Sequence, residues 1–166
     1  ISACLVGSEM CIRDRRSPLW RAASWEDDGR MATVDDVREI ALALPGVTER
    51  VGGHTGEPSW RLPSGQIAWV RGASKVDLRQ LADLGLVWPD GPVLGVRVAS
   101  LEEKAMLLAA EPEGLFSIPH FDGYPGLLVQ LDAVERDRLA EIIADAWLVR
   151  APVLVAKQWL AERGLD

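Results

Sequence analysis

From Thr33 onward the chain alternates between two hydrophobic spacings. Val37, Ile40, Ala41 and Leu44 recur at three- and four-residue intervals. This is one stripe of a helix that Thr33 caps and Leu44-Pro45-Gly46 ends. Asp35, Asp36 and Glu39 crowd its first turns, where the helix dipole favours anions. "EPSWRLPSGQIAWVRG" then switches to short apolar runs. Glu57–Leu62 and Gln66–Arg71 flank Pro63-Ser64-Gly65, which predicts a hairpin. The preceding "RVGGHTGEP" reads as loop, or as a weak first strand ending in it. Ser74 to Leu84 predicts a short helix, and Gly85 to Pro92 is punctuated by turn residues. "PVLGVRVAS" reads as a buried strand. Ser100 with Glu103 makes a capping box for a helix that Met106, Leu107 and Ala110 continue and that ends at Glu111–Gly114. "LFSIPHFDGYPG" predicts an edge strand entering a loop, and "GLLVQL" another strand. Asp132 and Glu135 repeat the capping-box spacing before a helix to about Trp147–Arg150. Pro152 then sits in the first turn of a last helix, which reaches Arg163 and is closed by Gly164. No parallel βαβ alternation recurs. The expectation is an α+β single domain, an antiparallel sheet flanked by helices that pack on one face.

The first 30 residues do not join this pattern. A secretory signal runs from a basic stretch into roughly 7–15 apolar residues. Here the apolar run Ala3 to Val6 breaks at Gly7, and Arg13, Arg15 and Arg16 follow it. The run is also too short to cross a membrane. Leu5 to Asp14 back-translates, over ten consecutive codons, to DNA resembling a transposon-type sequencing adapter. The expectation is that residues 1 to about 15 are artefactual, that Arg16–Arg30 is translated upstream sequence, and that the natural start is Met31. A disordered leader is the alternative, and either way 31–166 is the domain. Both cysteines, Cys4 and Cys11, fall in the leader, so the domain has no disulfide or thiolate chemistry and a cytoplasmic location is expected.

Charge changes the picture in one place. The net charge is −7, all of it carried by the domain, because the leader is balanced. Such a surface repels nucleic acid and anionic lipid unless positive charge is segregated. Pro58–Leu81, the hairpin window, is the positive stretch, at +3.

Candidate chemistry is sparse. There is no nucleophile elbow, and "GGHTG" lacks the lysine of a phosphate-binding loop. His54 and His120 are the two histidines, and His120-x-Asp122 is the one compact ligand pair. Two ligands do not make a metal site, so neither metal nor cofactor is expected. Trp60 and Trp69, one on each arm of the hairpin, either pack in the core or form an exposed stacking platform beside Arg61 and Arg71. "PHFDGYPG" gathers His120, Phe121, Asp122 and Tyr124 in a loop, where recognition residues concentrate. A loop in which Tyr124 plugs the core and Asp122 caps a turn is the structural alternative.

"MATVDDVREIALALPGVTE", "KAMLLAAEPEGLFSIPHFDGYPGLLVQLD" and "AWLVRAPVLVAKQWL" together resemble the MmcQ/YjbR family, over essentially Met31 to Leu160. The resemblance implies a fold similar to that of the bacterial frataxin CyaY. It also implies DNA binding by a double-wing arrangement of strands and loops. The wings would be the Trp60–Trp69 hairpin and a strand-loop around Arg97 or His120. Arg61, Arg71, Lys75 and Arg79 would meet phosphates, with Arg97 on the second wing. So few cations would give weak, salt-sensitive binding to duplex DNA. The leading expectation is a non-enzymatic DNA-binding protein. Beside it stands a module for a small ligand or protein partner, using Trp60 and the His120–Tyr124 loop. An enzyme with acid–base chemistry at His120 and Asp122 ranks last.

Overall fold

The computed structural model describes residues 29–52 and 56–165. The readings made of residues 1–28, and of His54 in its glycine-rich loop, lie outside these residues. The first helix, α1 (Val34–Leu42), opens with Thr33 and Asp36 exchanging side chain-to-backbone hydrogen bonds. Its stripe of Val37, Ile40 and Ala41 is buried, as is Leu44 just beyond it.

Three strands follow: β1 (Thr48–Val51), β2 (Pro58–Leu62) and β3 (Gly65–Val70). α2 (Lys75–Asp83) separates them from β4 (Val93–Arg97). α3 (Leu101–Ala110) leads to a two-residue edge strand, β5 (Leu115–Phe116), and then to a 3-10 turn at Pro119–Phe121. β6 (Gly126–Gln130), α4 (Arg136–Arg150) and α5 (Val153–Ala161) complete the order. The strands form one antiparallel sheet in the order β1-β2-β3-β4-β6-β5. No helix of the described residues is long and apolar enough to cross a membrane.

The near face of the sheet carries Trp60, Leu62, Ile67, Ala68, Leu94, Val96, Leu127 and Val129 against α1 and α4. Trp159 of α5 packs on Trp147 of α4, their rings 5.2 Å apart. The far face is also apolar at its centre. Val93 and Leu128 meet Leu81, Ile118 and Phe121, with Trp69, Trp88 and Phe116 packed beside them. Helices on one face alone is therefore incomplete, because α2 lies on the other. The reason is visible in β4 and β6, whose continuous runs "VLGV" and "GLLV" bury both faces and need cover on both.

Two helix starts differ from expectation. The Glu103 carboxylate accepts from Ala99 N–H at 2.6 Å, one residue before the cap. Asp132 sits in a 3-10 turn, and α4 begins at Arg136 after Glu135 with no side-chain cap. The chain before α1 takes over that work: Arg136 N–H donates to the Arg30 carbonyl at 3.1 Å. Arg30, assigned to the leader on sequence, also donates to Asp36 at 2.8 Å. Arg136 of α4 reaches the same buried carboxylate at 2.9 Å. Burial pushes the Asp36 carboxyl up, but bonds from Arg30, Thr33 and Arg136 outweigh it and hold the group well below its usual range.

Candidate nucleic-acid interface

Strand alternation sorts charge between the two faces. Arg50 pairs with Ser59, Thr48 with Arg61, Ser59 with Trp69, Trp69 with Gly95, and Arg97 with Gly126. Paired residues share a face, so Arg50, Arg61 and Arg97 all lie on the far face. Arg71, two residues after Trp69, continues the same row. Glu49, the one carboxylate within the strands of the described residues, lies on the near face and is bonded by Arg38 of α1 at 2.9 Å.

At the middle of this face stands an aromatic cluster. Trp69 lies over Gly95 so closely that a Cβ there would stand 2.3 Å from the indole. Phe121 stacks beside Trp69 with centroids 6.2 Å apart. Tyr124 meets Phe121 edge-on at 5.5 Å and Trp69 at 6.4 Å. Arg71 sits 5.3 Å from the Phe121 ring centre and Arg97 5.1 Å from that of Tyr124, both in cation–π range. Arg71 is also bonded to Asp77 at 2.7 Å. Asp77, fully buried, takes part in the capping box of α2 with Ser74. Its burial pushes the carboxyl up, but Ser74, Arg71 and the field of His120 outweigh that and lower it. Arg71 Nε and Arg97 Nε are buried without a hydrogen-bond partner among the described residues.

The loop is held from below by Lys104, 7% exposed, whose ammonium donates to the carbonyls of Phe121 at 2.6 Å and Tyr124 at 3.3 Å. Burial lowers its pKa, against the opposing pull of Asp122. The candidates thus divide. Arg71, Arg97, His120, Phe121, Asp122 and Tyr124 come together, uniting the proposed second wing with the aromatic loop. Phe121 is buried, while His120 and Asp122 are exposed and Tyr124 is 38% exposed. Lys75 and Arg79 are exposed on α2, and Arg61 is half-buried further along the sheet.

Trp60 does not belong here. It is fully buried in the near-face core and offers no stacking surface. The hairpin register explains why. Arg61 pairs with Gln66 but Trp60 with Ala68, leaving Ile67 as an extra residue. That bulge turns Trp69 to the face opposite Trp60.

Three members of the site were missed on sequence. Arg50 was hidden because its strand merges into the glycine-rich "RVGGHTGEP", although its alternation with Glu49 was a signal. Lys104 stands three residues from both Leu101 and Leu107, an unusual place for a charge on an apolar stripe. Asp77, three residues after Ser74, has the N3 spacing of a capping box.

Elsewhere, a cavity of about 460 Å³ lies between the end of α3 and the start of α4, lined by Glu111, Glu113, Glu135, Asp137, Arg138 and Glu141. Its charge repels phosphate. Among the described residues no group of three or more His, Cys, Asp or Glu is placed to hold a metal ion.

No family model matches the chain. It is 40% identical over 134 residues to "Uncharacterized protein Rv2570" of Mycobacterium tuberculosis and, equally, to "Uncharacterized protein Mb2600" of Mycobacterium bovis. The match covers 81% of this chain and all of each relative. Among solved structures, the Deinococcus radiodurans protein DR2400, with a DUF419 domain, superposes with a TM-score of 0.55 at 21% identity. That match covers 82% of this chain and 91% of DR2400, and it shows a shared fold.

Proposed function

The chain belongs to the family of the mycobacterial proteins it matches over their full length, and on that footing we propose that it is a non-enzymatic nucleic-acid-binding protein of the MmcQ/YjbR kind. Its contact surface is the far face of the sheet, with Arg50, Arg61, Arg71 and Arg97 toward phosphates and Lys75 and Arg79 at the border. The observation that carries the reading is charge segregation. In a protein of net charge −7, the strands turn their arginines to one face and their carboxylate to the other. The reading includes a cytoplasmic location, where nucleic acid is met.

Four phosphate contacts give a log–log salt slope near −3.6, or about a 100-fold loss of duplex affinity between roughly 50 and 200 mM salt. Fluorescence anisotropy of labelled duplex DNA at those two concentrations tests this, with Arg61→Glu/Arg97→Glu as the charge-reversed variant. Binding that fades with salt and in the variant supports the reading. Flat signals at both salts dismiss it. One observation favours a second reading, a small-ligand or protein module: the ring cluster beside His120 and Asp122. That reading calls for ligand stabilisation insensitive to salt and lost in His120→Ala.

A further inference from the structure

We propose that the nucleic acid this face takes is an unpaired strand, with a base stacked at Tyr124 and the Arg97 guanidinium. The inference rests on the nucleic-acid reading above and sharpens it. The cations are few, and Arg71 is already bonded by a buried carboxylate, Asp77. Phosphate contacts alone therefore hold a duplex weakly. What the face has in addition is ring surface. Tyr124 is 38% exposed and set by contacts with Trp69, Phe121 and Arg97.

Its seat is rigid. The Tyr124 ring lies so near Gly126 that a Cβ there would stand 2.6 Å away, and Lys104 fixes the carbonyls on the loop. A pre-positioned ring loses little freedom when a base stacks on it. The faces of bases are hidden inside a duplex and available in a single strand, which is read by stacking on aromatic rings and guanidinium planes. Asp122, exposed at the rim, disfavours phosphate there. The backbone is thereby directed away from the loop, across the sheet toward Arg61 and Arg50.

The test is anisotropy of the full chain with a labelled single strand of about 12 nucleotides and with the same sequence as duplex, each at low and physiological salt. The single strand is expected to bind on the order of tenfold tighter or more, with the shallower salt dependence of unpaired strands. Tyr124→Ala is expected to lose on the order of tenfold in single-strand affinity, and Tyr124→Phe to retain it. Arg97→Lys, which keeps charge but removes the planar fork, is expected to weaken the single strand severalfold more than the duplex. Near-ultraviolet circular dichroism establishes that each variant is folded. Duplex binding equal to or tighter than the single strand, with Tyr124→Ala silent, overturns the inference while the nucleic-acid reading stands. Failure of both probes to bind removes that reading, and the inference with it.

Discussion

A methyl group added at Gly95 has nowhere to go. Its carbon would stand 2.3 Å from Trp69 Cε2 and 2.6 Å from Cζ2 and Nε1, against an ordinary carbon–carbon contact of about 3.5–4 Å. The indole, in ring contact with Phe121 and Tyr124, must move by more than about 1 Å. Overpacking of this kind costs about 1–3 kcal/mol. In a domain of this size each kcal/mol lowers Tm by about 2–4 °C. Gly95→Ala is therefore expected to melt roughly 2–12 °C below the parent by the same scaling and to change the near-ultraviolet dichroism of its tryptophans. Gly72→Ala is the control, since no atom lies within 4 Å of its added carbon. If Gly95→Ala keeps the parent's Tm and aromatic spectrum, the account of how Trp69 is seated is wrong.

Lys104→Met keeps the bulk of the side chain but leaves the Phe121 and Tyr124 carbonyls without their donor. A loss of about 1–3 kcal/mol is expected in urea titration, along with weaker binding of any ligand of the loop. Asp36→Ala removes a carboxylate bonded by Arg30, Thr33 and Arg136, while Glu39 continues to bond Arg136, and is expected to cost about 1–3 kcal/mol in the same titration. Asp145, pushed up to about 6 mainly by burial, with Arg138 opposing and Glu103 and Glu141 adding, works against folding at neutral pH. A raised carboxyl holds its proton longer folded than unfolded. Stability thus falls as pH rises from about 4 to about 6, by an upper limit of about 3 kcal/mol. Asp145→Asn is expected to remove this slope in denaturation curves taken across that range, and an unchanged slope contradicts the assignment.

Much of the fold was written in local patterns. The α1 stripe lies on the core as its three- and four-residue spacing requires, and Thr33, Ser74 and Ser100 each cap the helix they precede. The hairpin formed around Pro63-Ser64, and the aromatic loop left the edge strand as expected. What could not be read depends on distant partners. Ile67 is an extra residue only in relation to Arg61 and Trp60, so no periodicity within β3 announces which face Trp69 takes. Arg50 and Arg97 lie far apart in sequence and come to one face only through pairing across the two intervening strands, β2 and β3. The continuous apolar runs of β4 and β6 do signal two-sided burial. The amphipathic α2, whose buried members are Asp77 and Leu81, gave little hint that it would provide part of the cover.

The most direct test of the far-face interface is residue-resolved NMR of the labelled full chain titrated with an unlabelled single-stranded oligonucleotide. Shifts are expected at Arg50, Ser59, Arg61, Arg97, Tyr124 and the Trp69 indole, with α5 and the Glu111–Glu141 cavity silent. Shifts confined to that acidic cavity, or none at any residue, would contradict it.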